Sequence, residues 1–247
     1  MNKYREHQII KILLQQKTAT VKELSDKLYA SMPSIRRDLA NLEKKHMIKR
    51  THGGAALEIT NNSELKIPFM LRELEQTDAK VIMAKKAAQL INNNDVIFID
   101  ASTSAYSVIP FLINKTNLTI ITCGLKSLQL AGEYGITAFS TGGKLLPSCM
   151  SLIGAEAYKM IESYTADIML FSCRGLTDEG NITDFSLEEN WVRQVMLKHA
   201  KKKILLCDSS KIGNVYMNTV CSIDDITYII SEKSLPSPLN CKEYIDI

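Results

Sequence analysis

Apolar positions along this chain follow two rhythms. Near the start they recur every three or four residues, and from position 96 onward they bunch into short unbroken runs. The first rhythm predicts helices and the second predicts buried strands. Ile9, Ile10, Ile12, Leu13 and Leu14 follow Tyr4 at helical spacing, which predicts a first helix over 4–16. Thr20 and Glu23 form a Thr-x-x-Glu capping box that opens a second helix over 21–28, with Leu24 and Leu28 facing inward. Tyr29-Ala30 turns the chain, and Ser31 caps a third helix. Pro33 is tolerated there because first-turn amides have no intrahelical acceptor. Ile35, Leu39 and Leu42 share the buried stripe of that helix, while Ser34, Arg36, Arg37 and Asn41 point elsewhere.

Residues 47–56 read as a short hairpin with a basic strand and a Gly-Gly bend. Helices joined by a tight turn and followed by a basic hairpin make a winged helix-turn-helix. The helix after that turn, third in the chain, suits the major groove of duplex DNA, and arginine suits guanine edges and phosphates. The expected DNA-facing residues are Lys22, Ser31, Ser34, Arg36, Arg37 and Asn41 on the helical part. Lys49, Arg50 and His52 join them from the hairpin, with the two cations expected on phosphate. His52 reads as a wing or phosphate contact, and no metal is expected, since no second ligand sits nearby.

Beyond this module the pattern changes. A polar linker is expected over 58–75, dividing a domain at 1–57 from one at 76–247. A helix over 78–91 precedes apolar runs at 96–100, 118–122, 168–172, 203–208 and 226–231. Short Val/Ile-rich runs alternating with helical patterns predict a mostly parallel sheet covered on both faces. The fold class is α/β.

Charge supports this division. The net charge of +3 hides twelve Lys/Arg against five Asp/Glu in residues 1–56, and eighteen against twenty-two in the rest. A basic module beside a mildly acidic one fits phosphate binding at one end. The six cysteines are scattered without a Cys-x-x-Cys pair, which favours reduced thiols in the cytoplasm. No apolar run approaches the ~20 residues that span a bilayer, so no membrane partner is expected.

In parallel sheets, ligands bind beyond the carboxyl ends of strands. Asp100-Ala101-Ser102-Thr103-Ser104 stands in such a place, and its hydroxyls with free helix-start amides suit a phosphate ester, or equally a helix cap and turn. Thr141-Gly142-Gly143-Lys144 reads as a close backbone approach beside a cation, or as a hairpin turn. Lys211, in Asp208-Ser209-Ser210-Lys211, can neutralise phosphate. Asp184 precedes a Ser186-x-x-Glu189 capping box and a helix to His199.

Ser31–Leu39 and His52-Gly53-Gly54-Ala55 resemble the signature of the DeoR family of bacterial transcriptional regulators. Ala30 and Met32-Pro33 depart from it, at the entry of the third helix. The order of the later segments resembles the DeoR-type effector domain, which is similar in fold to ribose-5-phosphate isomerase and is taken to bind phosphorylated sugars. By that resemblance Asp100, Thr103, Gly142, Gly143, Asp184 and 208–213 occupy family motif positions. Ser102, Cys123, Arg174 and Trp191 stand where glycine, asparagine, aspartate and an acidic residue are usual. Arg174 is then an extra anion anchor or a salt-bridged side chain.

The resemblance implies a homo-oligomeric repressor, dimer or tetramer, of a carbohydrate-metabolism operon. Operator DNA and a phosphorylated sugar are its expected partners, and no cofactor is expected. A sugar-phosphate isomerase fused to a DNA-binding module is the alternative from another class, and a non-specific nucleic-acid protein the third.

Overall fold

The computed structural model describes residues 3–45, 47–57 and 68–235, and these fall into two compact units that divide between Leu74 and Glu75. The first ten residues of the expected linker, 58–67, lie outside the described residues.

The first unit runs α1 (Lys3–Gln16), β1 (Thr18–Thr20), α2 (Val21–Lys27), α3 (Met32–Lys44), β2 (Ile48–Thr51), β3 (Gly54–Leu57) and α4 (Phe69–Leu74). The capping box forms in both directions. Glu23 N donates to Thr20 Oγ1 at 3.1 Å, and Thr20 N donates to Glu23 Oε2 at 2.7 Å. Ile9, Ile10, Leu13, Leu24, Ile35, Leu39, Leu42 and Ile48 are fully buried together, so the helical stripes meet in one core. Leu28 is only half-buried and caps α2.

Two features were not in the sequence pattern. The wing has three strands in the order β1-β3-β2, because Thr18–Thr20 joins the expected hairpin, and three residues are too few to show a period. That join explains Gly54, where a Cβ would stand 2.1 Å from the Ala19 carbonyl oxygen. The other is α4, which lies in the stretch expected to be linker. Its Leu71 belongs to the first unit's core.

The second unit begins with α5 (Thr77–Gln89), β4 (Val96–Ile99), α6 (Thr103–Tyr106), β5 (Thr119–Thr122), α7 (Leu125–Glu133) and β6 (Thr137–Ser140). It continues with β7 (Lys144–Leu146), β8 (Ser151–Ile153), α8 (Ala155–Glu162), β9 (Ala166–Phe171), β10 (Gly175–Leu176) and β11 (Asn181–Asp184). It ends with α9 (Leu187–Lys198), β12 (Ala200–Leu206), β13 (Asn218–Ser222) and β14 (Tyr228–Ile230). Six strands form a parallel sheet in the order β14-β12-β9-β4-β5-β6. Alternate strand residues enter opposite cores. Phe98, Ile121, Met169 and Leu205 lie in one, and Ile97, Ile99, Ile120 and Ile204 in the other. This two-sided burial is what makes the strands read as continuous apolar runs. The edge strand β6 alternates exposed and half-buried residues and escaped that reading. An antiparallel sheet, β10-β11-β13, and the hairpin β7-β8 complete the unit.

Strand order locates the functional end of the sheet. From β4 the chain builds outward through β5 and β6, then returns beside β4 as β9 and builds the other way through β12 and β14. The order reverses between β4 and β9, and crevices at such switch points take ligands at the carboxyl ends. Asp100 follows β4, Ser172 follows β9 and Asp208 lies just beyond β12.

Candidate functional site

In the first unit, α3 is held at a fixed attitude. Arg5 forms an ion pair with Asp38 through its Nε, with Nη2 to Oδ1 at 3.3 Å, and Lys45 Nζ lies 2.5 Å from Glu6 Oε2. Asp38 is therefore turned inward, next to Arg36 and Arg37, which are exposed. Ser31 accepts from Ser34 N at 3.4 Å, and the two hydroxyls lie 3.0 Å apart, so both serines serve the cap while staying at the surface. Lys22, Lys49 and His52 are exposed and Asn41 is half-buried. Arg50 differs from Lys49. Its Nη1 donates to the Arg36 carbonyl at 3.5 Å and its backbone amide to Glu43 at 3.3 Å, so it braces the wing on α3.

In the second unit, the switch point gathers three strand ends. Lys211 Nζ sits 3.0 Å from Asp208 Oδ2, 2.8 Å from Ser172 Oγ and 3.4 Å from Ser104 Oγ. Burial disfavours the Lys211 ammonium, but Asp208 outweighs it and the pKa is raised. Asp208 is held below the usual carboxylate range, since Lys211 and the Ser210 hydroxyl overcome the cost of burial. Ser102 caps α6 and also donates to Asp100 Oδ1, from N at 3.0 Å and from Oγ at 2.5 Å. Thr103 is buried in the same turn.

Asp100 and Asp184 are joined by a residue the sequence reading passed over. Arg193 donates from Nε to Asp100 Oδ2 and from Nη1 to Asp184 Oδ2, each at 2.9 Å, and its Nη1 also reaches Asn190 Oδ1. All three charged side chains are at most 5% exposed. Burial opposes the guanidinium charge, yet Asp184, Asp100 and Glu189 together hold its pKa well above the ordinary value. Asp100 and Asp184 therefore act first as anchors, tying β4 to the end of β11. The Cys123 thiol beside them is pushed up to about 12, by burial and then by Asp100 and Glu189.

The Ser186 cap forms, with Ser186 Oγ accepting from Glu189 N at 3.3 Å, but the capping box does not close. Glu189 turns into the protein instead, 4% exposed, with its Oε1 unpartnered, and the neighbouring Asn190 keeps an unpartnered Nδ2 at 1% exposure. Trp191, which stands where an acidic residue is usual in the family, is 46% exposed on another face of α9. Arg174 stacks its guanidinium 5.3 Å from the Phe185 ring centre. Gly143 has φ +102° and a Cβ there would stand 2.4 Å from the Ile153 carbonyl oxygen, so the glycine serves the approach of β8. Gly142, with φ +66°, has open space around it, and Lys144 is exposed where β7 begins.

The family model of the DeoR C-terminal sensor domain matches residues 75–233, and that of the DeoR-like helix-turn-helix domain matches residues 5–60. The chain belongs to the DeoR family. It is similar to the HTH-type transcriptional regulator GolR of Listeria innocua, 33% identical over 95% of this chain and 92% of GolR. It is also similar to the glycerol-3-phosphate regulon repressor of Escherichia coli, 28% identical over 94% and 91%. Among solved structures, ribose 5-phosphate isomerase A of Methanocaldococcus jannaschii covers 56% of this chain and 55% of its own, at 18% identity and TM-score 0.43. The chain is a transcriptional regulator rather than an enzyme, with a DNA-binding head and a sensor domain.

For this DeoR regulator, the residues missed from sequence share one helix face. Glu189, Val192, Arg193 and Met196 are all buried on α9. An arginine and a glutamate at helical spacing among Val192 and Met196 were the available signal. Among the described residues no group of three or more His, Cys, Asp or Glu can hold a metal, and no helix is long and apolar enough to cross a membrane.

Proposed function

We propose that the protein is a cytoplasmic repressor of a carbohydrate-metabolism operon whose affinity for operator DNA is set by a phosphorylated sugar in the second unit. The observation that carries the reading is the convergence of Lys211, Ser104 and Ser172 from three separate strand ends at the switch point. A phosphate ester there meets one cation and two hydroxyl donors. The sugar hydroxyls extend toward Glu189 Oε1 and Asn190 Nδ2, an acceptor and a donor left open by the fold. Asp100 and Asp184 shape this site through Arg193, Ser102 and Thr103 through the α6 turn. Arg174 and the Gly142–Lys144 loop form its periphery. The relative named for the glycerol-3-phosphate regulon supports a phosphorylated polyol as the ligand class.

Arg36 and Arg37 read bases from α3, with Lys22, Ser31, Ser34 and Asn41 around them. Lys49 and His52 touch phosphate, and Arg50 fixes the wing that carries them. One recognition helix reads too few base pairs for useful specificity, so a homo-oligomer on a repeated or palindromic site is required.

Titrating operator binding against pentose, hexose and polyol phosphates tests the switch. One of them should shift affinity by about fivefold to 150-fold, the usual range of coupling between sites. If none does, the sensor reading fails while DNA binding stands. Equal affinity for scrambled duplex would overturn sequence-specific recognition.

A further inference from the structure

Tyr29 occupies the turn between α2 and α3, at the position after the α2 cap. Ala30 N donates to the Ser25 carbonyl at 3.1 Å, and Ser25 Oγ donates back to the Ala30 carbonyl at 2.6 Å. This closing bond is the one that forces the residue after the cap into the left-handed region, and glycine or asparagine suits it. Here it is a tyrosine with φ +49°, and the residue is 97% exposed. The backbone is strained and the ring finds no cover among the described residues of its own unit. Strain that local packing does not explain points to function.

Two more apolar side chains stand next to it. Met32, 40% exposed, and Pro33, also exposed, open the first turn of α3. Met32 is one turn from Arg36, and Pro33 one turn from Arg37, so both lie on the face that carries the arginines. The front of the recognition helix thus pairs an apolar tip with two cations. In the major groove the apolar group on a base edge is the thymine C5-methyl.

We propose that Tyr29 and Met32 pack on thymine methyl groups at one edge of the base sequence read by Arg36 and Arg37. The inference rests on the reading that α3 enters the major groove. Tyr29 supplies ring area and Met32 an adaptable thioether, while Pro33 keeps the first turn rigid.

The test uses the intact chain and a duplex enriched from random DNA by the wild-type protein, with each thymine replaced in turn by deoxyuridine. That change removes one methyl and nothing else. At one or two positions it should weaken wild-type binding about fourfold, the worth of one buried methyl-sized group. Tyr29→Gly should keep or raise the melting temperature, because it relieves the positive φ, yet bind the enriched duplex about tenfold more weakly and lose its sensitivity to one of those positions. Tyr29→Phe should bind as wild type, and Met32→Ala should lose sensitivity at the other position.

Three results would overturn the inference. They are equal wild-type affinity for every deoxyuridine duplex, undiminished affinity in Tyr29→Gly, and a Tyr29→Phe defect as large as that of Tyr29→Gly, which would put the hydroxyl on phosphate. Arg37→Ala separates the levels. If it binds normally, the groove reading itself fails, and if it weakens while Tyr29→Gly does not, only the tip is wrong.

Discussion

Replacing Arg193 with methionine should cost the second unit about 3–5 kcal/mol, because it strands two buried carboxylates. Asp100 and Asp184 are 1% and 5% exposed at their side chains and each meets the guanidinium at 2.9 Å. At an effective dielectric near 20, each contact supplies an attraction of about 4 kcal/mol, which the burial of three charges largely offsets. Removing only the cation leaves that burial cost without its compensation. Trp191, the chain's one tryptophan, lies two residues away on α9, so its fluorescence in a denaturant titration reports this unit. The loss should shrink in an Asp100→Asn/Asp184→Asn background, where both carboxylates bonded to the guanidinium are gone and only Glu189 still faces the site. A loss under about 1 kcal/mol in the single variant, or an equal loss in both backgrounds, would refute the view of Arg193 as an electrostatic anchor.

The other predictions concern the two ligand surfaces and the wing. Arg37→Ala should weaken operator binding by about 1–3 kcal/mol and relax base preference, whereas Lys49→Ala should weaken all sequences alike and lower the salt slope by about one, both read from binding isotherms at several salt concentrations. Lys211→Met should leave operator binding intact and abolish the sugar-phosphate response. In the wild type that response should fade as pH drops through about 6, where a phosphate ester takes up its second proton. Asp208 is held below the usual carboxylate range, so its bond to Lys211 survives there and is lost only on further acidification, and the transition near 6 belongs to the ligand. Asp208→Asn should tighten sugar-phosphate binding, measured by calorimetry, while shrinking its effect on DNA affinity. Gly54→Ala should destabilise the first unit by about 1–3 kcal/mol, seen as a lower melting temperature, because a Cβ meets Ala19 O at 2.1 Å.

Where local chemistry decides the structure, sequence was enough. The Thr20–Glu23 box, the Ser31 cap and the apolar runs of β4, β5, β9, β12 and β14 each encode their element within a few residues. Residues that the structure gathers at the switch point were legible when they ended such a run, as Asp100 does, or sat in a loop just beyond one, as Lys211 does. The missing parts depend on long-range pairing. Thr18–Thr20 becomes a strand only because β3 offers a partner, and nothing in three residues says so. Glu189 satisfied a capping-box pattern but was drawn inward toward Arg193, four residues on. Arg193 itself carries no local mark, since its partners Asp100 and Asp184 lie 93 and nine residues away. The bond from Arg193 to Asp184 at the end of β11 is likewise invisible in the local pattern.

The two ion pairs at the switch point differ in how a ligand can use them. Arg193 is sealed, with both carboxylates buried around it, and a phosphate gains nothing by entering. Lys211 keeps 17% of its side chain open and shares its ammonium among one carboxylate and two hydroxyls. On the proposed function, a dianionic phosphate competes with Asp208 for that ammonium with twice the charge. Success loosens the Asp208–Lys211 bond, and the loop that carries it runs directly into Gly213, whose amide donates to the Leu176 carbonyl of β10 at 2.8 Å. On the proposed sensor reading, ligand capture therefore acts on the small sheet β10-β11-β13 through this tether. At its other end that sheet is fixed by Asp184 through Arg193. On the same reading one tether is open to phosphate and the other is buried, so binding is expected to turn the small sheet about the Arg193 anchor instead of releasing it.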